Sequence, residues 1–390
     1  MNFLDDLYFI FSKFRENMIS RGLLIHRQVA AILLVLCFLI MITFLSGCGF
    51  KYVEVSHPEA MNSKRLLDPN HSPFEISKSD TDPNRTMIHL HPAKITLEKP
   101  CRVNYRKMEY WFGKIVAING KLPDGKEYPI YIDSGYYGGG TEISVNDLIA
   151  KESNLQVLTK KLSPNERSQW GLCFLPELKM GKVVLQRPSC AFIPWHREFQ
   201  ILGIPLWQEK NLFLGNSLMS RFKYLCFHNT DMQLEFSYNQ SFQPEVSKNW
   251  THYPFTLRKQ DGRIMVNIPI AGETCSIYFD TGGSGTFLKS DMWEKMRNQI
   301  IAKKPKDSKF FSYQLGFLPC RKTNAKTLRV GNIELKNTEI VILPEGSPYL
   351  PKDIPGYISI WTFKDTSVAL DFENNLMWVK NNGYSLNNRH

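Results

Sequence analysis

The chain has 390 residues, 43% hydrophobic and 13% aromatic, with Gly and Pro spread along it, which excludes a mainly disordered or low-complexity protein. Its formal net charge is +11, but the 48 Lys and Arg residues are scattered, which describes a solvated basic surface rather than a nucleic-acid stripe. The eight Cys show no C-x-x-C spacing, and no Gly-x-Ser-x-Gly, His-Glu-x-x-His or Gly-Lys-Ser/Thr ending occurs, so zinc, serine-hydrolase and P-loop chemistries lack their usual carriers.

In chain order, residues 29–45 form a nearly continuous apolar run preceded by Arg21, His26 and Arg27 and closed by Leu45-Ser46-Gly47-Cys48. A basic region, an apolar region and small residues before a cleavage point predict a signal peptide over 1–47. The Leu-Ser-Gly-Cys ending resembles the bacterial lipobox, which implies that Cys48 is the lipidation site and new first residue. An uncleaved anchor is the rival reading, since 17 residues lie at the lower edge of a spanning helix. Either way the body faces the periplasm or exterior of a bacterial envelope, held to a membrane. Residues 48–106 are polar and read as a tether. His89 and His91 within it lack a supporting carboxylate or Cys spacing, so no metal and no cofactor is expected.

From residue 107 the pattern becomes β-rich. Residues 115–118, a turn at Pro123-Asp124-Gly125 and residues 128–132 read as a hairpin ending in Asp133-Ser134-Gly135. Ser144 and Asp147 are spaced as a capping box for a short helix. Residues 178–194 read as strand, turn, strand, and 213–236 as further strands. Residues 239–250 read as a linker, rich in Pro, Ser, Asn and Gln.

The order then recurs. Residues 264–270 and 275–279 form a second hairpin ending in Asp280-Thr281-Gly282-Gly283, 147 positions after the first. A helix is expected over 290–303. Residues 328–344 match 178–194 at a constant offset of 150, aligning Gly181 with Gly331 and Pro194 with Pro344. Tyr357-Ile358-Ser359 matches Phe213-Leu214-Gly215 at an offset of 144. These anchors predict an internal duplication: two similar lobes over 107–238 and 251–381, followed by a tail over 382–390.

Two carboxylates brought together can hydrolyse a peptide bond. Like charges at short range cannot both ionise, so one group stays protonated while the other takes a proton from water. The hydroxyl residue after each Asp can bond across to the other lobe, and the glycine permits the tight turn. With two apolar-Asp-Ser/Thr-Gly turns, each followed about 80 residues later by an apolar-apolar-Gly-type segment, the stretch 110–380 resembles the retropepsin/pepsin superfamily of aspartic peptidases. The resemblance implies an all-β fold with a few short helices, built as two closed β-barrel-like lobes of the acid-protease type. It implies Asp133 and Asp280 as the catalytic pair, Ser134 and Thr281 as interlobe hydroxyls, and Gly135 and Gly282 as turn glycines. Trp170 and Tyr313 are the flap candidates. The partners implied are a polypeptide substrate and, through lipidated Cys48, a membrane; the chain is expected to be a monomer without nucleic acid. Tyr136 stands where the family prefers a small residue, the first loop is two residues longer than the second, and Ser359 replaces the glycine found at 215. The alternative function is therefore an inactive aspartic-protease-like lipoprotein that binds a peptide or envelope partner. Of the six Cys beyond the lipobox, Cys190, Cys226 and Cys275 lie in apolar runs and read as buried thiols. An exported chain could pair some of the six, in a connectivity the sequence leaves open.

Overall fold

A computed structural model describes residues 48–54, 74–78, 86–110, 113–136, 140–159, 171–201, 204–312 and 315–381. The expected signal peptide, the tail, Trp170 and Tyr313 lie outside the described residues. The protein is mainly β, with short helices at Asp147–Glu152, Asn216–Met219 and Ser290–Met296.

Two compact units are distinguished. The smaller unit pairs the strand Cys48–Glu54 with a hairpin made of Trp195–Ile201 and Ile204–Gln208. The larger unit contains everything that carries the paired Asp-Ser/Thr-Gly turns.

Within the larger unit, pairing in the second half repeats pairing in the first. Glu127–Asp133 runs antiparallel to Gly113–Lys121 and parallel to Leu212–Gly215, which is in turn antiparallel to Ile143–Asn146. Ile143–Asn146 runs parallel to Ser189–Ile193. Correspondingly, Glu273–Asp280 is antiparallel to Ile264–Ile270 and parallel to Gly356–Ser359, which is antiparallel to Thr286–Lys289; that strand runs parallel to Ile333–Leu343. The parallel insertions place a second chain segment beside each Asp: Gly215 is the register partner of Asp133, and Ser359 of Asp280.

The two halves meet in a shared antiparallel array, which the sequence did not disclose. Its order is Trp250–Leu257, Leu376–Lys380, Ser367–Asp371, Tyr224–His228, Gln233–Ser237, Cys101–Asn104, so its centre is the pairing of Tyr224–His228 with Ser367–Asp371. One buried apolar cluster runs through both halves, including Ile118, Ile130, Ile132 and Leu214 from the first and Ile268, Ile277, Phe279 and Ile358 from the second. Alternation explains the strands: along Ile264–Ile270 the residues at 264, 266, 268 and 270 are all buried.

Three expectations need correction. The stretch 48–106 is not a tether throughout. Lys94–Thr96 pairs with Val183–Gln186, and Cys101–Asn104 joins the shared array. Ile95, Leu97 and Cys101 are buried, a short apolar alternation masked by polar neighbours. The helix expected over 290–303 ends at Met296, passes through one 3-10 turn, and gives way to Ile301–Ala302, a strand whose pairing with Gly316–Val330 overrides helix propensity. The cap of the first helix is Asn146, whose side-chain oxygen accepts from the Ile149 amide at 3.2 Å, rather than Ser144.

Candidate active site

Asp133 and Asp280 each end a strand whose preceding residues, Ile130 to Ile132 and Ile277 to Phe279, are buried. This gives each carboxyl a rigid base with little polarity beneath it. After the Asp the chain turns sharply. The Gly135 amide donates to Asp133 Oδ1 at 2.8 Å, and the Gly282 amide donates to Asp280 Oδ1 at 2.9 Å.

The hydroxyl residues tie the two turns together reciprocally. The Ser134 amide donates to Thr281 Oγ1 (2.8 Å), and that hydroxyl donates to the Ile132 carbonyl (2.9 Å). The Thr281 amide donates to Ser134 Oγ (3.0 Å), which donates to the Phe279 carbonyl (3.1 Å). Both hydroxyls are buried, so each bond is made away from competing water, where an unmet partner is costly.

The lock brings the carboxylates to one place. A Cβ added at Gly135 would lie 3.1 Å from Asp133 Oδ1 and 3.3 Å from Asp280 Oδ1, so those oxygens are at most about 6.4 Å apart, the sum of the two distances. A Cβ at Gly282 would fall 2.6 Å from Asp133 Cγ. Glycine at both turns is therefore a steric condition for the carboxylates to approach. That bound lies within the reach of two carboxylates bridged by a single water.

Electrostatics follow from this geometry. Burial, and then the charge of Asp280, push the Asp133 carboxyl up to about 7; the amides of Gly135 and Tyr136 and the Arg263 guanidinium act the other way. Burial also raises Asp280, opposed by the Gly282 amide, the Tyr278 hydroxyl and Arg263. The two groups titrate as one unit, able to hold a single proton between them near neutrality.

Tyr278 and Arg263 were not singled out from the sequence. The Tyr278 hydroxyl lies near Asp280, which it holds down, and sits over Gly135, where a Cβ would overlap it. The Arg263 guanidinium lies 5.2 Å from the Tyr278 ring centroid and pairs with Asp261 at 3.2 Å. Period two along the strand was the available signal, since it places residue 278 on the same sheet face as Asp280. The corresponding Tyr131 instead packs edge-on against Phe213, with centroids 5.2 Å apart. Tyr278→Phe removes a donor to the ionised form of Asp280 and so raises the pair's lower titration. The expected result is an acid limb of the pH–rate profile displaced upward by roughly half a pH unit to one unit.

Two of the three sequence departures, Tyr136 and Ser359, are reconciled in the packing; the longer first loop runs through residues 137–139, which lie outside the described residues. The Tyr136 ring stacks on Phe213 at 5.9 Å and lies over Gly215, where a Cβ would be 2.6 Å from the Tyr136 carbonyl oxygen and 2.9 Å from its ring. In the second half the sizes are exchanged: Gly283 occupies the position of Tyr136 and Ser359 that of Gly215. A Cβ at Gly283 would meet the Tyr357 ring at 2.6 Å, while the Ser359 hydroxyl accepts from the Trp361 amide at 3.1 Å. Tyr136 thus faces a glycine in the first half, and in the second a glycine faces the ring of Tyr357. Gly215→Ala is expected to lower stability by about 1–3 kcal/mol, because backbone rather than a flexible side-chain end must yield; denaturant melts measure it.

Trp170 and Tyr313 lie outside the described residues, and the strand from Cys48 is described by its backbone alone. Among the described residues no group of three or more His, Cys, Asp or Glu is placed to hold a metal.

The fold is aspartic-protease-like. A family model described as aspartyl protease matches residues 266–356, the stretch that contains Asp280-Thr281-Gly282. Among solved structures, the chain is similar to the aspartic proteinase from Irpex lacteus (TM-score 0.42, 9% identity, covering 74% of this chain and 98% of that one). It is also similar to basic 7S globulin from soybean (TM-score 0.39, 8% identity, 74% and 98% covered) and to the protein titled edgp (TM-score 0.41, 11% identity, 73% and 95% covered). No curated protein matches.

Proposed function

We propose that the protein is an aspartic endopeptidase, attached to the outer side of a bacterial membrane, that cleaves extended polypeptide. The observation that carries this reading is the convergence of Asp133 and Asp280 on one point beside Gly135, with their turns locked by reciprocal hydroxyl bonds. One carboxylate takes a proton from a water held between the pair as that water attacks the scissile carbonyl. The protonated carboxyl donates to the carbonyl oxygen and stabilises the gem-diol. Return of a proton to nitrogen releases the amine. Tyr136 does not argue for an inactive binding protein, because its ring is accommodated by Gly215 while the Asp133 carboxylate keeps the same amide contact as Asp280. The test is cleavage of an unfolded polypeptide from pH ~3 to ~8 by wild type and Asp280→Asn, each shown to be folded. If the two have the same activity, the enzyme reading falls.

In this reading the halves descend from a duplicated lobe, residues 1–47 are a cleaved leader and Cys48 carries lipid. The membrane attachment is supported by the smaller unit. There the strand beginning at Cys48 is paired to the hairpin Trp195–Ile201/Ile204–Gln208, whose residues Ile204 and Leu206 are 63% and 62% exposed. Exposed apolar side chains in the same small sheet as the proposed lipid anchor suit the interface of a bilayer. Replacing Ile204 and Leu206 together by Ser is expected to weaken vesicle binding of the unacylated Cys48→Ser protein by roughly tenfold, read by flotation. Unchanged flotation would remove the hairpin from the attachment.

A further inference from the structure

We propose that Cys173 and Cys190 close a disulfide across two strands of the first half, a covalent staple in the sheet that carries Asp133.

Cys173 lies in Gly171–Phe174 and Cys190 in Ser189–Ile193, and these antiparallel strands put the two cysteines directly opposite one another. Directly opposed residues share a sheet face, with Cα atoms about 4.5–5.5 Å apart, inside the span a disulfide bridges. Both side chains are fully buried and stand in the structure as free thiols on opposed positions. None of the other four cysteines from Cys101 onward has a cysteine as a register partner. Cys101 faces Phe236, Cys226 faces Glu235 and Ala369, Cys275 faces Ile268, and Cys320 faces Ser308.

The bridge would matter to the site through sheet order. Ser189–Ile193 lies beside Ile143–Asn146, which lies beside Leu212–Gly215, whose last residue is the register partner of Asp133. The staple therefore fixes the outer side of the sheet that holds the Gly215 segment against the Asp133 turn.

The chemistry is thiol–disulfide exchange with a small-molecule or protein disulfide. One cysteine, as thiolate, attacks the oxidant's S–S bond, releasing one oxidant thiol and leaving a mixed disulfide. The second cysteine attacks the protein sulfur of that mixed disulfide, releasing the second oxidant thiol. The two cysteines lose two electrons and two protons, and the oxidant becomes two thiols. Burial holds the Cys190 thiol well up, and Cys173 beside it adds to this, so thiolate is scarce in the folded protein. Exchange belongs to folding, before the strands close over the pair. The oxidant is met in the cell only if the exported reading above holds.

The experiment is refolding of the full chain in a mixture of oxidised and reduced glutathione, with alkylation of remaining thiols, digestion and mass mapping. The expected product is one linked peptide joining Cys173 to Cys190. Closing this loop is expected to shift the unfolding equilibrium by on the order of 100-fold between oxidised and reduced protein. The Cys173→Ala/Cys190→Ala protein should show no such shift. Two alkylated cysteines at 173 and 190, or their linkage to other cysteines, would overturn the proposal, and this arm needs no variant to fold. The same mapping on protein taken alkylated from cells separates the two readings. A bridge that forms in refolding and is missing from cells counts against export and leaves the cysteine geometry standing.

Discussion

Asp133→Asn and Asp280→Asn are each expected to lower the rate of peptide cleavage by about 10³-fold or more, and at the same time to make the folded protein more stable above neutral pH. The two effects have one cause. Activity needs a carboxylate and a carboxylic acid side by side, and an amide can neither take the proton from water nor give one back. Stability moves the other way because the pair is uncomfortable when ionised. Burial and the neighbouring charge hold the Asp133 carboxyl up at about 7, well above its ordinary range. Between roughly pH 4 and 7 the folded state therefore binds more protons than the unfolded state, and stability falls as pH rises through that window. The penalty is complete above about pH 7 and absent below the unfolded value. Asn has no charge to bury, so at pH ~8 both variants should be more stable than wild type, Asp133→Asn by up to about 4 kcal/mol, and at pH ~4 the difference should vanish. Denaturant melts at the two pH values measure this. Equal stabilities at pH ~8 would show that the carboxyls are not held together. In the wild type, cleavage should decline as pH rises past about 7, where the shared proton is lost.

Thr281→Val is expected to be the most damaging change at a residue that never touches substrate. Valine keeps the shape of threonine, so packing is preserved and only the hydroxyl is lost. The Ser134 amide then has no acceptor and the Ile132 carbonyl loses its donor, both in the buried junction between the turns. Two unmet buried groups cost about 2–5 kcal/mol together, a large share of the stability of a typical protein. Cleavage should fall about 10²-fold even under conditions where the variant is fully folded, because the lock sets the distance between the carboxylates and small displacements are punished. Thr281→Ser, which restores the hydroxyl, should recover most of both. Recovery by Ser of stability but not of rate would mean that the lock holds the fold and not the geometry of the pair.

Much of the site was legible because its chemistry is local. Asp133-Ser134-Gly135 and Asp280-Thr281-Gly282 announce themselves by residue type, and the offset of 147 links them. Tyr278 and Arg263 were passed over for the opposite reason. Tyr278 looks like one more aromatic in an apolar strand, and only the approach of Gly135 from the other turn gives its hydroxyl a place. Tyr136 looked like an obstacle because its partner Gly215 lies 79 positions away. The segment around Ile95 and Cys101 read as a tether since polar neighbours outnumber its few buried residues, yet its strands extend two sheets.

The sequence by itself determined the β character and the two Asp-Ser/Thr-Gly turns, since alternation and turn chemistry are properties of short stretches. Only the tertiary structure decided that the hydroxyls cross between turns, that Tyr224–His228 pairs with Ser367–Asp371 at the junction of the halves, and that Cys173 faces Cys190. Those are contacts between residues far apart in the chain. Their register is fixed by which faces are buried together, and that becomes defined only when the whole core closes.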